Sequence, residues 1–234
     1  MEGLFAETNR ATERVLSRNG CKLVGAEGQV CCGALHAHAG QMETAKRLAR
    51  KNIEAFLPSG CDRIITNAAG CGAAMKEYSG LLADDAQYAD KARDFSAKVR
   101  DISEFLSEIG IAQPENRLAR RVAYDAPCHL IHAQRIIEAP MDVLRAIPGL
   151  TLAPLEGFER CCGGAGIYNL QHPELSADIL REKIESIRES EADMVATGNP
   201  GCIMQIGAGA LLANLKVDVA HPVELLDRAY SNGE

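Results

Sequence analysis

A cysteine-centred pattern occurs twice in this chain and constrains its fold more than any other feature. Each copy begins with an adjacent pair followed by glycine, at Cys31-Cys32-Gly33 and at Cys161-Cys162-Gly163. A Gly-Cys step follows each pair after 39 and 40 residues, at Gly70-Cys71 and Gly201-Cys202. Self-similarity at such a distance indicates two copies of one supersecondary unit.

The similarity extends over most of each half. Ile102-Ser103-Glu104-Phe105-Leu106 matches Pro222-Val223-Glu224-Leu225-Leu226, and residues 110–116 between the halves form a polar stretch punctuated by Gly and Pro. We therefore expect two cysteine-rich domains, residues 1–114 and residues 115–234. Cys128 precedes its pair by 33 residues, which would place its counterpart before Met1. The first domain is thus expected to be truncated at its N-terminus.

Helical and strand periodicities alternate within each half. Helical stripes run through Met42, Ala45, Leu48, Ala49, Ile53 and Phe56 and through Leu175, Ile179, Leu180, Ile184 and Ile187. Short apolar runs predict strands at Arg63–Asn67, Val122–Asp125, Met194–Gly198 and Val217–Ala220. The alternation predicts an α/β fold of two tandem pseudo-repeats, each a small, mainly parallel sheet with flanking helices. The cysteines then fall near strand ends, where such folds bind ligands.

Four thiols of the second half are expected to form a metal site, namely Cys128, Cys161, Cys162 and Cys202. Four thiolates can hold a [4Fe-4S] cluster or a tetrahedral zinc ion. Adjacent side chains on extended backbone diverge, which favours a cluster, and no closely spaced zinc knuckle is present. Zinc at one site stays open. The first half retains Cys31, Cys32 and Cys71, and its site is expected to be incomplete.

Composition excludes several classes of protein. Nine cysteines in a chain without an apolar signal segment favour metal or redox chemistry over a disulfide framework. The net charge of −7 disfavours nucleic acid as a partner. No apolar run is long enough to span a membrane. We therefore expect a cytoplasmic protein that contacts the inner face of the membrane only through partners.

Other polar residues are assigned ordinary structural roles. Cys21 and Cys61 have no counterpart in the other repeat and are expected to be core cysteines. We expect capping or loop roles for His36, His38, His129 and His132, although each could ligate metal or orient a ligand. His221-Pro222 is expected to end a strand and begin a helix. The mixed charges from Arg181 to Glu191 indicate a solvated helix face.

Four stretches carry a family resemblance that covers nearly the whole chain. They are Cys31–Gly40, Pro127–Leu130, Cys161–Asn169 and His221–Leu226. The chain resembles the cysteine-rich (CCG) domain family related to the catalytic subunit of heterodisulfide reductase, and within it the glycolate oxidase iron–sulfur subunit. It departs from that pattern in lacking a ferredoxin-type C-x₂-C-x₂-C series, and in having Ala68 and Asn199 where the family closes with C-x-x-C.

The resemblance implies electron transfer within a glycolate (2-hydroxy-acid) dehydrogenase complex. Iron–sulfur sites would relay electrons from an FAD-containing partner subunit towards a quinone-linked acceptor, with a ferredoxin-like module or subunit as a further partner. The isolated chain would not oxidise glycolate and would contribute no catalytic residue. The alternatives are a lactate-utilisation iron–sulfur subunit and a zinc-binding structural module without a redox role. A thiol–disulfide enzyme ranks last, because a vicinal disulfide ring is strained.

Overall fold

Parallel strands form in both halves, and we describe them for residues 3–231 from a computed structural model. The first half contains two strands, β1 (Ile64–Thr66) and β2 (Val99–Asp101), paired in parallel with Ile64 opposite Val99. A 3-10 turn at residues 57–59 precedes β1. The helices of this half are α1 (Ala6–Arg18), α2 (Ala34–His38), α3 (Met42–Phe56), α4 (Ala69–Lys76), α5 (Tyr78–Leu81), α6 (Ala89–Lys98) and α7 (Ile102–Ile109).

The second half contains a larger sheet in which all neighbouring strands are parallel. Its strands are β3 (Arg121–Tyr124), β4 (Thr151–Ala153), β5 (Met194–Ala196) and β6 (Asp218–Ala220), in the spatial order β4-β3-β5-β6. A π-helical turn at residues 129–133 follows β3. The helices are α8 (Ala139–Arg145), α9 (Tyr168–Gln171), α10 (Pro173–Glu189), α11 (Pro200–Leu212) and α12 (Pro222–Tyr230).

These elements confirm the predicted α/β class with its mainly parallel sheets. The predicted helical stripes correspond to α3 and α10, although their first members, Met42 and Leu175, are exposed. The four predicted strands correspond to β1, β3, β5 and β6. Strands β2 and β4 were not predicted from the sequence. Each is only three residues long and is defined by its pairing with a neighbour.

The hydrophobic cores are not divided at the boundary expected between the two halves. One core lies within the first half, around Tyr78 and Phe95. The largest core joins α1 and α7 of the first half to β3, α8 and α12 of the second. Because α1 packs directly against α12, the two halves are held together by shared apolar burial. A division between residues 114 and 115 therefore remains a prediction from the repeat.

Candidate metal centre

The second set of thiols converges at one end of the four-stranded sheet. Cys128 follows β3, the Cys161-Cys162 pair lies on the loop after β4, and Cys202 lies in the first turn of α11 after β5. The carboxyl ends of parallel strands meet at the same edge of a sheet, which brings these loops together. The thiol of Cys161 lies close enough to those of Cys128 and Cys162 to shift their pKa values, and the thiol of Cys202 lies close enough to shift that of Cys162. All four residues predicted for this site are therefore neighbours.

The shape of this site depends on the glycines that follow the pair. Gly163 has a φ of 87° and donates its N–H to the Cys161 Sγ at 3.3 Å. A Cβ on Gly163 would lie 2.5 Å from the carbonyl oxygen of Ser176, and one on Gly164 would lie 3.4 Å from the Cys162 Sγ. A side chain at Gly163 is thus excluded by both backbone conformation and space. The requirement explains why a glycine follows the pair.

The first set of thiols repeats this local geometry with three cysteines. The sulfur atoms of Cys32 and Cys71 are 3.2 Å apart, and Cys31 is in contact with Cys32. Gly33 has a φ of 83° and donates its N–H to the Cys31 Sγ at 3.5 Å. The three predicted residues of the first repeat are therefore also neighbours.

Each set favours one thiolate flanked by thiols. Hydrogen bonds from Cys128 and Cys162 lower the pKa of Cys161 to about 2, whereas the same contacts raise the pKa values of Cys128 and Cys162. In the first set, the Cys32 thiol lowers the pKa of Cys71, and the pKa of Cys32 is raised. Thiolate is the form of cysteine that binds metal. In each set, the neighbouring thiols therefore favour the thiolate form of one member.

The two sets of thiols lie on adjacent loops of the two repeats. The N–H of Ala69 donates to the carbonyl of Gly198 at 3.1 Å. Asn199 accepts a hydrogen bond from the N–H of Gly70 through Oδ1 at 3.2 Å and faces the Cys202 Sγ through Nδ2 at 3.5 Å. The side chain of Asn199 therefore connects the residue before Cys71 to Cys202. This contact was not predicted, because the sequence showed Asn199 only as a departure from C-x-x-C.

The chemistry of the donors fits a thiophilic group such as an iron–sulfur cluster. Thiolate is a ligand shared by zinc and iron–sulfur clusters, so donor type alone does not choose between them. Within residues 3–231, no group of three or more His, Cys, Asp or Glu side chains is arranged so that it could hold a metal ion. The second set instead forms a series of contacts from Cys128 through Cys161 and Cys162 to Cys202.

Histidines lie beside the thiols. The Nδ1 atom of His129 is 3.7 Å from the Cys128 Sγ, and burial lowers the His129 pKa. The ring of His38, from the first repeat, stacks on His129 with centroids 5.9 Å apart. His221 caps α12, as predicted: its Nδ1 accepts a hydrogen bond from the N–H of Val223 at 3.1 Å.

Cys21 and Cys61, which have no counterpart in the other repeat, lie at the margins of the cores. Cys21 packs against the core shared by the two halves, and Cys61 packs against the core of the first half. Both side chains are partly exposed, so they border the cores that they were expected to enter. All nine cysteines are free thiols.

The expectation of a solvated charged face on α10 is wrong for Lys183. Most charged side chains from Arg181 to Glu191 are exposed, but Lys183 is buried, and its Nζ lies 2.8 Å from the Oδ1 of Asp125. Charge patterning predicted a solvated face because it does not show which charged residue finds a buried partner. Neither Lys183 nor Asp125 was predicted as a site residue.

Comparison of the sequence with known proteins identifies a family. A cysteine-rich domain model, CCG, matches residues 1–76 and 122–207. The chain is 39% identical over 230 residues to a probable glycolate oxidase iron-sulfur subunit of Bacillus subtilis (strain 168), covering 97% of this chain and 52% of the relative. It is 35% identical over 229 residues to the glycolate oxidase iron-sulfur subunit of Escherichia coli (strain K12), covering 97% and 55%.

A third relative differs in name and in length. The chain is 30% identical over 224 residues to lactate utilization protein A of Shouchella clausii (strain KSM-K16), covering 95% of this chain and 93% of the relative. It spans only about half of the two glycolate oxidase subunits. Among residues 3–231, none of the helices combines the length and apolar character needed to cross a bilayer. The duplicated Cys-Cys-Gly loops and the match over most of the sequence together establish that the chain belongs to the cysteine-rich (CCG) domain family.

Proposed function

We propose that this chain is an iron–sulfur electron-transfer subunit, or part of one, in a glycolate oxidase complex. The observation that carries the proposal is the meeting of Cys128, Cys161, Cys162 and Cys202 at the carboxyl edge of one parallel sheet. The names of two relatives, both glycolate oxidase iron-sulfur subunits, support it. Residues 1–114 and 115–234 would form the two cysteine-rich domains.

The second set of thiols would hold a [4Fe-4S] cluster through the four cysteines. Such a cluster accepts and donates single electrons when bound. The protein supplies anionic sulfur, a Gly163 N–H directed at the Cys161 Sγ, and partial burial. Cys31, Cys32 and Cys71 would hold a second, incomplete site. Zinc at one site is the competing proposal.

The reaction on the organic substrate would take place on another subunit. We assign no catalytic residue to this chain, and we propose FAD-containing partner subunits as electron donors and a quinone-linked acceptor. A ferredoxin-like iron–sulfur module would be a further partner. The complex would be cytoplasmic and would meet the inner face of the membrane through these partners. Nucleic acid is not proposed as a partner, given the net charge of −7.

The metal proposal is tested by anaerobic reconstitution of the chain with iron and sulfide. We expect stoichiometric iron and inorganic sulfide, visible absorption and a paramagnetic signal on reduction. Cys128→Ser, Cys161→Ser and Cys202→Ser should each lower the iron content, because serine replaces a soft thiolate with a hard hydroxyl. Cys21→Ser and Cys61→Ser are the matched controls. Zinc without sulfide, or iron content equal in all five variants, would reject the proposal.

The substrate of the complex is tested with the flavin partner present. We expect glycolate to reduce the iron–sulfur absorption when that subunit is added, and to do nothing without it. Lactate is the alternative substrate, since lactate utilization protein A of Shouchella clausii is matched over 93% of its length. Faster reduction by lactate than by glycolate would favour that function.

A further inference from the structure

A buried ion pair lies next to the loops that carry the second set of thiols. The side chain of Lys183, on α10, is 2% exposed, and that of Asp125, directly after β3, is 1% exposed. The Nζ of Lys183 lies 2.8 Å from the Asp125 Oδ1 and donates to the carbonyl of Gly157 at 2.7 Å. Thr197 donates its hydroxyl to the other oxygen of Asp125 at 3.1 Å. A buried charge needs such compensation, because desolvation of an unpaired ion is costly.

The partners of this pair belong to the three loops that carry the cysteines. Asp125 precedes Cys128 by three residues, Gly157 precedes Cys161 by four, and Thr197 precedes Cys202 by five. Two backbone hydrogen bonds reinforce the arrangement: the N–H of Asp125 donates to Ala196 at 2.9 Å, and the N–H of Ala126 donates to Phe158 at 2.9 Å. One lysine and one aspartate therefore connect all the segments that must converge.

The first repeat has a neutral residue at the equivalent place. Asn52 is the eleventh residue of α3, as Lys183 is the eleventh residue of α10, and it is 1% exposed. Its Oδ1 accepts from the N–H of Val30 at 3.0 Å, and its Nδ2 donates to the carbonyl of Cys31 at 3.2 Å. Nδ2 also donates to the Tyr78 hydroxyl, which itself donates to the carbonyl of Cys32 at 2.7 Å.

We propose that this helix position supplies the positioning residue of each thiol site, Asn52 in the first repeat and Lys183 with Asp125 in the second. Groups outside the ligands often orient the ligands in this way. The positioning role holds for any group the thiols bind. Its consequence for electron transfer rests on the proposed function.

The two positioning groups differ in chemistry, because the second repeat uses a buried ion pair and the first uses a neutral amide. The positive charge of Lys183 lies beside the loop that carries Cys161, because its Nζ donates to the carbonyl of Gly157, four residues before that cysteine. Because reduction adds negative charge, a nearby cation favours the reduced form. The second site should therefore have a higher midpoint potential than it would with a neutral residue at position 183. Asn52 provides no such charge to the first site.

The test compares Lys183→Met, the double variant Lys183→Met/Asp125→Asn and Arg181→Met in the full chain. Arg181→Met is the matched control, since it removes a cation from the same helix at an exposed position. In reconstituted protein we expect Lys183→Met to retain less iron and to lower the midpoint potential of the second site. Asp125→Asn added to it should raise the potential again, because the unpaired negative charge is removed. If Lys183 had only a packing role, the midpoint potential would not fall in the single variant and rise again in the double variant.

A second readout does not depend on iron or sulfide. The reduced, metal-free chain is titrated with Cd²⁺, and the thiolate-to-cadmium absorption is followed. Weaker Cd²⁺ binding in Lys183→Met than in Arg181→Met supports the positioning role, and equal binding in the two overturns it. If the parent chain assembles no cluster while its Cd²⁺ binding depends on Lys183, the proposed function is wrong and the positioning role stands. Should Lys183→Met not fold, by circular dichroism, the neutral double variant replaces it in the Cd²⁺ titration, where weaker binding than in Arg181→Met supports the positioning role and equal binding overturns it.

Discussion

The buried cap of α12 predicts a strong loss of stability in acid. The ring of His221 is 2% exposed, and its Nδ1 is occupied as the acceptor for Val223 N–H. Burial lowers the His221 pKa from 6.5 to about 4. The folded state therefore resists protonation, while the unfolded chain takes up a proton near pH 6.5. This contribution to stability is complete above pH 6.5 and is lost as the pH falls to about 4.

His221→Asn should remove this dependence while retaining a side-chain cap, because Asn is a favoured N-cap residue. Linkage gives a loss of about 2.5 kcal/mol between pH 7.5 and pH 4.5 from this group. Glu224 accepts a hydrogen bond from the backbone N–H of His221, and Asp101 and Tyr124 line the same small cavity. The stability of the variant will therefore still depend on pH through these other ionisable groups.

The assay is urea unfolding of the metal-free chain at pH 7.5 and pH 4.5. The free energy of unfolding of His221→Asn should fall by about 2.5 kcal/mol less than that of the parent chain. His172→Asn is the control, since that side chain is exposed. Parallel pH dependences in the parent and in His221→Asn would refute the inference that burial suppresses protonation.

Two further predictions concern residues near the thiols and the cap of α7. Gly163→Ala should lower the free energy of unfolding by about 2 kcal/mol, because its φ of 87° and the close Ser176 carbonyl both oppose a Cβ. The control is Gly207→Ala, which has open space around it and should not lower the free energy of unfolding. Equal losses in the two variants, measured by urea unfolding, would contradict the steric argument. Burial raises the Asp101 pKa to about 6, so its ionisation costs stability as the pH rises from about 4 to 6. Relative to that of the parent chain, the free energy of unfolding of Asp101→Asn should rise over that range by up to about 3 kcal/mol. A difference in free energy of unfolding that does not change with pH would contradict burial of Asp101 as the cause.

The proximity of the candidate ligands could be predicted because it follows from local pattern. Apolar runs ending at Cys128 and near Cys202 indicate strands, and parallel strands bring their ends together. The start of α12 was also recognisable, since His221-Pro222 places proline at a first helical position. The capping of α7 by Asp101 with Glu104 was not predicted. Strands β2 and β4 were missed because three residues do not establish a periodicity.

The duplicated sequence by itself determined the α/β class, helices α3 and α10, four of the strands, and the position of both Cys-Cys-Gly loops, because these depend on periodicity and on the conformational freedom of glycine. The tertiary structure alone decided that α1 packs on α12, that Asn199 lies between the two sets of thiols, and that Lys183 is buried among charged residues that face water. Each of these joins residues far apart in the chain. The free energy of a charged or polar side chain depends on its partner, and only the folded chain brings that partner into contact.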